Sequence, residues 1–260
     1  MFELPVRPSP PPQLWMQGIA LGVHGFRKLF LFTTIAGFLG LLPTLYTAMR
    51  VGDIPVTPEV MRGLLDARWG LVEAMAFVCG NLVQAIMLAR LDNMVRRQAV
   101  DFRSEWQRAL RALLPLVVSS LVLFVALLVG YILLIVPGVI LTVSLVFFQY
   151  AVVLDGKGPI QALNRSHTLV WGNWWRTFLV LIVMALVLVG IVIVVLAPFA
   201  GLLALRSSEE TGRSMLEKGV LQLVGTAVFA PFVLGIMYLQ YHDLKLRRSR
   251  PGTPDMNVPA

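Results

Sequence analysis

The sequence predicts an all-α, polytopic membrane protein with six transmembrane helices and about three cytoplasmic amphipathic helices. Hydrophobic residues make up 57% of the 260-residue chain and charged residues only 14%, whereas soluble domains have about 45–50% and roughly 25%. Several apolar stretches also reach the ~20 residues that an α-helix needs to cross ~30 Å of hydrocarbon. Together these two observations exclude a soluble globular protein.

The apolar stretches define six spans, separated by segments with charged, proline and glycine residues. The spans cover about residues 29–49, 69–89, 112–134, 139–154, 174–197 and 219–241. Pro231 lies inside the last span and is expected to kink it. Residues 1–13 and 246–260 are predicted to be disordered tails that flank one membrane domain, 14–245. The proline-rich start lacks the basic-then-apolar pattern of a cleaved signal peptide, so none is expected.

The stretch from Tyr131 to Phe178 organises the middle of the chain. Pro137-Gly138 separates two apolar runs and is predicted to form the turn between the third and fourth spans. Apolar residues then recur at helical spacing over residues 159–171, which predicts a helix lying on the membrane surface. This helix leads into an aromatic belt of interfacial anchors, formed by Trp171, Trp174 and Trp175.

Two further amphipathic segments are expected at the membrane surface, at residues 14–28 and 90–111. Each precedes an outward span, as the 159–171 helix does, so the chain could contain three repeated helical hairpins. Any protein with alternating topology and interfacial helices would show the same pattern. Gly18 and Gly22 have the spacing of close helix packing, which is only a weak signal for dimer formation.

Lysine and arginine are distributed unevenly between the two sides of the predicted topology. Sixteen of the 22 lie in the two termini and the even-numbered connections, and six lie in the remaining connections. The positive-inside rule therefore places both termini in the cytoplasm. The formal net charge of +8 follows from this bias and from attraction to anionic phospholipid headgroups. Nucleic-acid binding is not needed to explain it.

The sequence offers no recognisable catalytic or metal-binding constellation. The single cysteine, Cys79, cannot form an internal disulfide bond, and the three histidines lie far apart. No glycine-rich phosphate loop and no nucleophile–base pairing is visible. The chain is therefore predicted to be non-enzymatic and to use no cofactor.

The second span carries a polar stripe that is a candidate site. At 100° per residue, Glu73 and Gln84 share one helix face, and Asn81 lies beside it. This stripe is expected to face the bundle. An ionisable residue inside a membrane calls for a functional hypothesis, so the stripe could line a path for a substrate or a proton. It could equally supply interhelical hydrogen bonds, and Glu73 lies close enough to the outer end to reach water.

A second group of candidates surrounds the surface helix and could bind the phosphate of a lipid headgroup. It comprises Lys157, Asn164, Arg165, Ser166 and Arg176. Arginine offers a planar set of donors that suits phosphate, and serine adds a hydroxyl group. The alternative is that these residues hold the helix against bulk anionic lipid without a specific site, at ~1 kcal/mol per basic residue.

Three segments resemble a known bacterial family: IVPGVI, VLDGKGPIQALNRSHTLVWGNWWRTF and YLQYHDLKLRR. The family is that of the YciC-like inner-membrane proteins, related to the membrane domain fused to some glycerophosphoryl diester phosphodiesterases. The most specific positions are Pro137-Gly138 followed by Ala162, Arg165, Ser166, Leu169, Gly172, Asn173 and Trp175. The resemblance implies an inner-membrane protein linked to envelope or lipid homeostasis. The phosphodiesterase domain of the fused relatives is absent.

Two functions are therefore considered from the sequence. The first is a non-enzymatic protein of the bacterial inner membrane that organises lipids or partner proteins, with a homo-oligomer as one possible assembly. The second is a transporter or permease subunit that moves a lipid or small amphiphile along the polar face of the second span.

Overall fold

The computed structural model describes residues 4–5, 7–52, 57–64, 66–98, 101–191, 193 and 212–249. The helices in these ranges are α1 Pro11–Val51, α2 Pro58–Leu64, α3 Ala67–Val95, α4 Phe102–Leu133, α5 Ile135–Leu145, α6 Phe148–Asp155, α7 Pro159–Trp171, α8 Trp174–Ile191 and α9 Gly212–Arg248. Six helical segments are long and apolar enough to cross a membrane, by length and composition. The all-α, polytopic fold class is thereby confirmed.

The two longest helices, α1 and α9, pack against each other in backbone contact. A β-carbon at Gly18 would lie 2.7 Å from the Cα of Ile236, and one at Gly235 would lie 2.6 Å from the Gly18 carbonyl oxygen. Farther along, the Thr33 hydroxyl donates to the Ala227 carbonyl oxygen at 3.1 Å. The small residues of the GxxxG spacing are thus used inside the chain.

This packing explains why α1 is one helix where the sequence predicts two. The 41 residues of α1 would extend about 60 Å, so the predicted surface helix 14–28 continues into the first span without a break. The predicted N-terminal tail is also shorter, because α1 begins at Pro11. Before it, Ser9 is buried and its backbone N–H donates to Asp243 at 2.8 Å.

Aspartate caps fix the starts of α3 and α4. The Asp66 carboxylate accepts from the Trp69 N–H at 2.8 Å, and this bond, with the Arg50 guanidinium, holds the pKa of Asp66 below its ordinary value. Asp101 accepts from two backbone N–H groups in the first turn of α4. The predicted amphipathic segment 90–111 is therefore divided between the end of α3 and the start of α4, which runs on into the third span.

The turn between α4 and α5 lies at Leu134, not at Pro137-Gly138. Leu134 has extended backbone angles, and α5 has already begun when the chain reaches the proline. Pro137 fits there because N–H groups in the first turn of a helix have no intrahelical acceptor. Gly138 allows a close approach: a β-carbon there would lie 2.5 Å from the Tyr131 ring.

The predicted fourth span consists of two helices, because the chain breaks between α5 and α6. Ser166 of α7 bridges this break with a fully buried hydroxyl group. The hydroxyl accepts from the Phe147 N–H at 3.1 Å and donates to the Ser144 carbonyl oxygen at 2.9 Å. A buried backbone break needs such partners, since unpaired polar groups cost about 1–3 kcal/mol each.

The positions of the last three helices agree with the sequence prediction better than their lengths do. Helix α7 covers the predicted surface helix 159–171, and α8 begins where the fifth span was predicted. The end of that span, 192–197, falls outside the described residues except for residue 193. Helix α9 already includes residues 212–218 of the predicted loop, and it extends to Arg248, into the predicted C-terminal tail.

The packed core lies toward one end of the bundle. In α3 nearly every residue from Val83 to Val95 is buried, whereas Leu71, Met75 and Val78 in its first half are exposed. The rings of Phe147, Tyr150 and Tyr241 meet at the same end, with centroids 5.5–5.8 Å apart. We call this end, which holds the C-termini of α3, α6 and α9 and the N-termini of α4 and α8, the basic end.

Replacing Gly18 by alanine should weaken the α1–α9 contact. The added methyl group would overlap the α9 backbone, and overpacking of this kind costs about 1–3 kcal/mol. Gly40→Ala is the matched control on the same helix, because no atom of the described neighbouring residues lies within 4 Å of the position that a β-carbon would take there. The midpoint of thermal unfolding in detergent should fall for Gly18→Ala and stay level or rise for Gly40→Ala. Equal midpoints would contradict the backbone contact.

Candidate functional site

Four carboxylates lie in the interior of the basic end, and each is paired with cationic groups. Asp92, Glu105 and Asp243 are no more than 2% exposed, and the Asp155 side chain is 14% exposed. A buried charge without a partner costs several kcal/mol. The positions of the surrounding cations are therefore set first by these carboxylates.

Asp92 joins three elements of the bundle. The Tyr238 hydroxyl of α9 and the Arg96 guanidinium donate to the same carboxylate oxygen, each at 2.8 Å. The Arg108 guanidinium of α4 donates to the other oxygen at 3.0 Å, and it also donates to two backbone carbonyl oxygens at the end of α6. The hydrogen bond from Arg96 and the charge of Asp92 raise the pKa of that guanidinium.

Asp155 joins the end of α6 to α9 and α7. Its two oxygens accept from the Lys245 ammonium and the Tyr241 hydroxyl, each at 2.8 Å. The Arg165 Nε lies farther away, at 3.8 Å. Arg165 is therefore the least tightly held of these partners.

Asp243 joins α9 to α8 and to the residues before α1. It accepts from Arg176 at 3.0 Å, from Arg247 at 2.7 Å and from the Ser9 N–H at 2.8 Å. Arg176 also donates to the Ser9 carbonyl oxygen at 2.6 Å. The predicted headgroup residue Arg176 thus serves to hold three segments together.

Glu105 completes the set by joining α4 to α3 and α1. Arg90 lies 2.8 Å from its carboxylate, and the Asn93 amide donates to the other oxygen at 3.5 Å. The Arg90 guanidinium also lies 4.4 Å from the centroid of the Phe32 ring and donates to the Lys28 carbonyl oxygen.

Three of the predicted headgroup residues meet in one polar cavity of about 650 Å³, which we call the polar pocket. It is lined by Asp155, Lys157, Gln161, Asn164, Arg165 and Thr168. Among the described residues, the Lys157 ammonium has no hydrogen-bond or ion-pair partner. Ser166 and Arg176 do not line the pocket, because Ser166 is buried at the α5–α6 break and Arg176 is paired with Asp243.

A second cavity of about 700 Å³ adjoins the polar pocket and shares Asp155 and Lys157 with it. Its wall includes Arg108 and the exposed Arg111. The polar pocket runs along α7 from Gln161 in its first turn to Thr168. This part of the structure can therefore bind an anionic group. In the part of the chain that is described, no group of three or more His, Cys, Asp or Glu could hold a metal ion.

The polar stripe predicted on the second span is divided by the structure. Glu73 is exposed on the outside of the bundle, so the prediction that it faces the bundle is wrong. Asn81 is buried and accepts from the Ser120 hydroxyl of α4 at 3.3 Å. Gln84 donates to Gln149 of α6 at 3.4 Å. Asn81 and Gln84 therefore make interhelical hydrogen bonds, the simpler of the two interpretations.

Gln84 also lines a cavity of about 710 Å³ that opens between helices of the bundle, which we call the lateral groove. Its walls come from α3, α5–α6, α8 and α9. Most of the lining is apolar, and the polar side chains in it include Gln84, Gln149, Lys218 and Gln222. A groove of this size and character can accommodate part of an amphiphile.

The three tryptophans stand where an aromatic belt was predicted, at the junction of α7 and α8. Trp171 and Trp175 are 54% and 71% exposed, and Trp174 is partly buried. All three line an apolar cavity of about 480 Å³ together with Ile135, Val136, Val139 and Ile140 at the start of α5. Their role as membrane anchors stays a prediction.

Sequence reasoning missed the buried acids that organise the site. Asp92, Glu105 and Asp155 lie in segments that the sequence analysis assigned to the cytoplasmic side from their lysines and arginines, without a role for the acids. The sequence did contain a signal for these acids. Each one lies within a basic segment next to a span, and membrane topology does not require an acid there, because Asp and Glu contribute little to it. Their long-range partners could not be assigned, because residues such as Asp92 and Tyr238 are separated by 146 positions.

Comparison with known proteins gives a family but no function. A family model described as a domain of unknown function (DUF7847) matches residues 109–244, just over half of the chain. The chain belongs to the DUF7847 family. The DUF7847 region begins within α4 and ends within α9, so it contains the polar pocket and most of the lateral groove. No curated protein and no solved structure matches the chain.

Proposed function

We propose that this protein is a non-enzymatic membrane protein that binds anionic phospholipid headgroups and thereby organises lipids, or lipids with a partner protein. The observation that carries the proposal is the polar pocket. It combines the ammonium of Lys157, the loosely held guanidinium of Arg165 and the amide of Asn164 in one cavity. The proposal assigns no chemical step and no cofactor.

The charge balance of the pocket favours a phosphate ligand. Its one carboxylate, Asp155, already accepts from Lys245 and Tyr241 at 2.8 Å, which leaves most donors of Arg165 available. A guanidinium and an ammonium that line the same cavity match the oxygens of a phosphate group. The neighbouring tryptophans would lie at the depth of the lipid headgroups.

The wider setting of the proposal rests on charge and on resemblance. The excess of lysine and arginine at the basic end supports a cytoplasmic location for that end and for both termini. The resemblance to YciC-like proteins supports the bacterial inner membrane and a role in envelope homeostasis. A partner protein or a second copy of the chain would then bind at the basic end.

Lys157→Ala and Arg165→Ala should each weaken selective lipid retention. After extraction in native nanodiscs, mass spectrometry should show one anionic phospholipid class enriched over the bulk membrane. Because a hydrogen bond to a charged group contributes about 1.5–3 kcal/mol, each variant should lower that enrichment roughly ten-fold. Arg103→Ala is the matched control, since Arg103 is an exposed arginine at the same end but outside the pocket.

Two results would contradict the headgroup site. One is a bulk-like lipid composition around the parent protein, and the other is an equal loss in Arg103→Ala. Bulk-like lipid together with one stoichiometric protein partner would make the protein a subunit or scaffold of that partner.

The lateral groove favours a second candidate function, the movement of a lipid or small amphiphile between leaflets. The groove combines an apolar wall with the Gln84–Gln149 pair. This combination would offer a partly polar path to a headgroup within the bundle.

In that case Gln84→Leu should slow the translocation of a fluorescent phospholipid in proteoliposomes several-fold, because it removes a polar group from the path. Glu73→Gln on the same helix is the control and should have no effect, since Glu73 lies outside the groove. Absence of translocation by the parent protein, or equal slowing by both variants, would rule out the candidate.

A further inference from the structure

The end of the α4–α5 hairpin presents an unusual surface. Five consecutive large apolar side chains there, from Ile132 to Val136, are 67–75% exposed. We call these five residues the hairpin tip. A water-facing turn would not expose so many consecutive apolar side chains, because each one would forfeit the free energy gained by burial.

The sequence around the tip is also unlike that of the other connections. No charged residue occurs between Arg111 and Asp155. By contrast, the turn between α1 and α3, at the opposite end of the bundle, carries Arg50 and Asp66 in an ion pair at 2.6 Å. The connection that is expected to face water thus carries charges, and the hairpin tip has none.

Contacts place the tip beside the first turn of α8, which belongs to the basic end. Ile135 and Val136 line one cavity with Trp175, and the next residue, Arg176, is bonded to Asp243. A straight helix of the 21 residues from Ile135 to Asp155 would separate its ends by about 30 Å. The break between α5 and α6 makes a different course possible, since it lets α5 turn toward α8.

Three backbone features of the tip limit the number of unpaired polar groups there. The Leu134 N–H donates to the Gly130 carbonyl oxygen at 3.2 Å, and the Gly138 N–H donates to the Leu134 carbonyl oxygen at 3.4 Å. Pro137 has no N–H to leave unpaired. Backbone polar groups at membrane depth must be satisfied internally, and these features reduce the number of unpaired groups in the turn.

The geometry points to a re-entrant hairpin: α4 and α5 enter the membrane from the basic end, end among the acyl chains and return to the same side. The tip is then covered by lipid hydrocarbon rather than water. The tryptophans at the start of α8 flank it at the membrane surface. This topology keeps both termini on one side, because a crossing hairpin and a re-entrant one both bring the chain back to the side where it started.

Cysteine labelling distinguishes a re-entrant hairpin from a crossing one. In a Cys79→Ser background, single cysteines are placed at the tip (Leu134→Cys), in α2 beyond the opposite end (Glu59→Cys) and after α3 at the basic end (Gln98→Cys). All three positions are exposed on the protein. A membrane-impermeant maleimide is then applied to right-side-out and inverted vesicles.

We expect labelling of Glu59→Cys from one side and of Gln98→Cys from the other, with Leu134→Cys unlabelled from either side. A bimane fluorophore attached to Leu134→Cys in detergent should be quenched by nitroxide-labelled acyl chains after reconstitution. Labelling of Leu134→Cys from the Glu59 side would overturn the proposal in favour of a crossing hairpin. Labelling from the Gln98 side, or a lack of quenching, would overturn the embedded tip.

Discussion

The pairing of four buried carboxylates with cations from distant helices is the constraint on which the architecture depends. Asp92, Asp155 and Asp243 each have partners from at least two other segments of the chain, and Glu105 of α4 pairs with Arg90 and Asn93 of α3. A single helix pair could slide or rotate at small cost in a lipid environment, because lipid is as apolar as the side chains it replaces. Unpaired buried charges are costly, so these four groups fix the helix ends at the basic end.

This constraint also decides which cations remain available for function. Arg90, Arg96, Arg108, Arg176 and Lys245 are engaged by the buried acids. Around the polar pocket and the cavity beside it, the cations that the buried acids do not hold tightly are Lys157, Arg165 and the exposed Arg111. The proposed headgroup binding follows from this remainder, and the large net positive charge alone would not have located it.

The sequence could predict those features that depend on apolar periodicity and length. The fold class, the positions of α7 and of the start of α8, and the alternation of spans with basic segments all belong here. Residue roles that depend on a neighbour in space could not be predicted. Helical spacing placed Glu73 and Gln84 on one face, but only the packing of α4 and α6 showed that the bundle covers Gln84 and leaves Glu73 outside. Arg176 and Ser166 look like surface groups until Asp243 and the α5–α6 break are seen beside them.

The most direct test of this account is a double-mutant cycle on thermal stability for Arg176 and Asp243, compared with the same cycle for Arg50 and Asp66. The first pair has side chains 15% and 2% exposed, and the second 40% and 35%. The account predicts a coupling free energy of about 1.5–3 kcal/mol for the first pair and a smaller one for the second, because solvent screens an exposed ion pair. A coupling at Arg176–Asp243 no larger than that at Arg50–Asp66 would contradict the claim that buried ion pairs hold the basic end together.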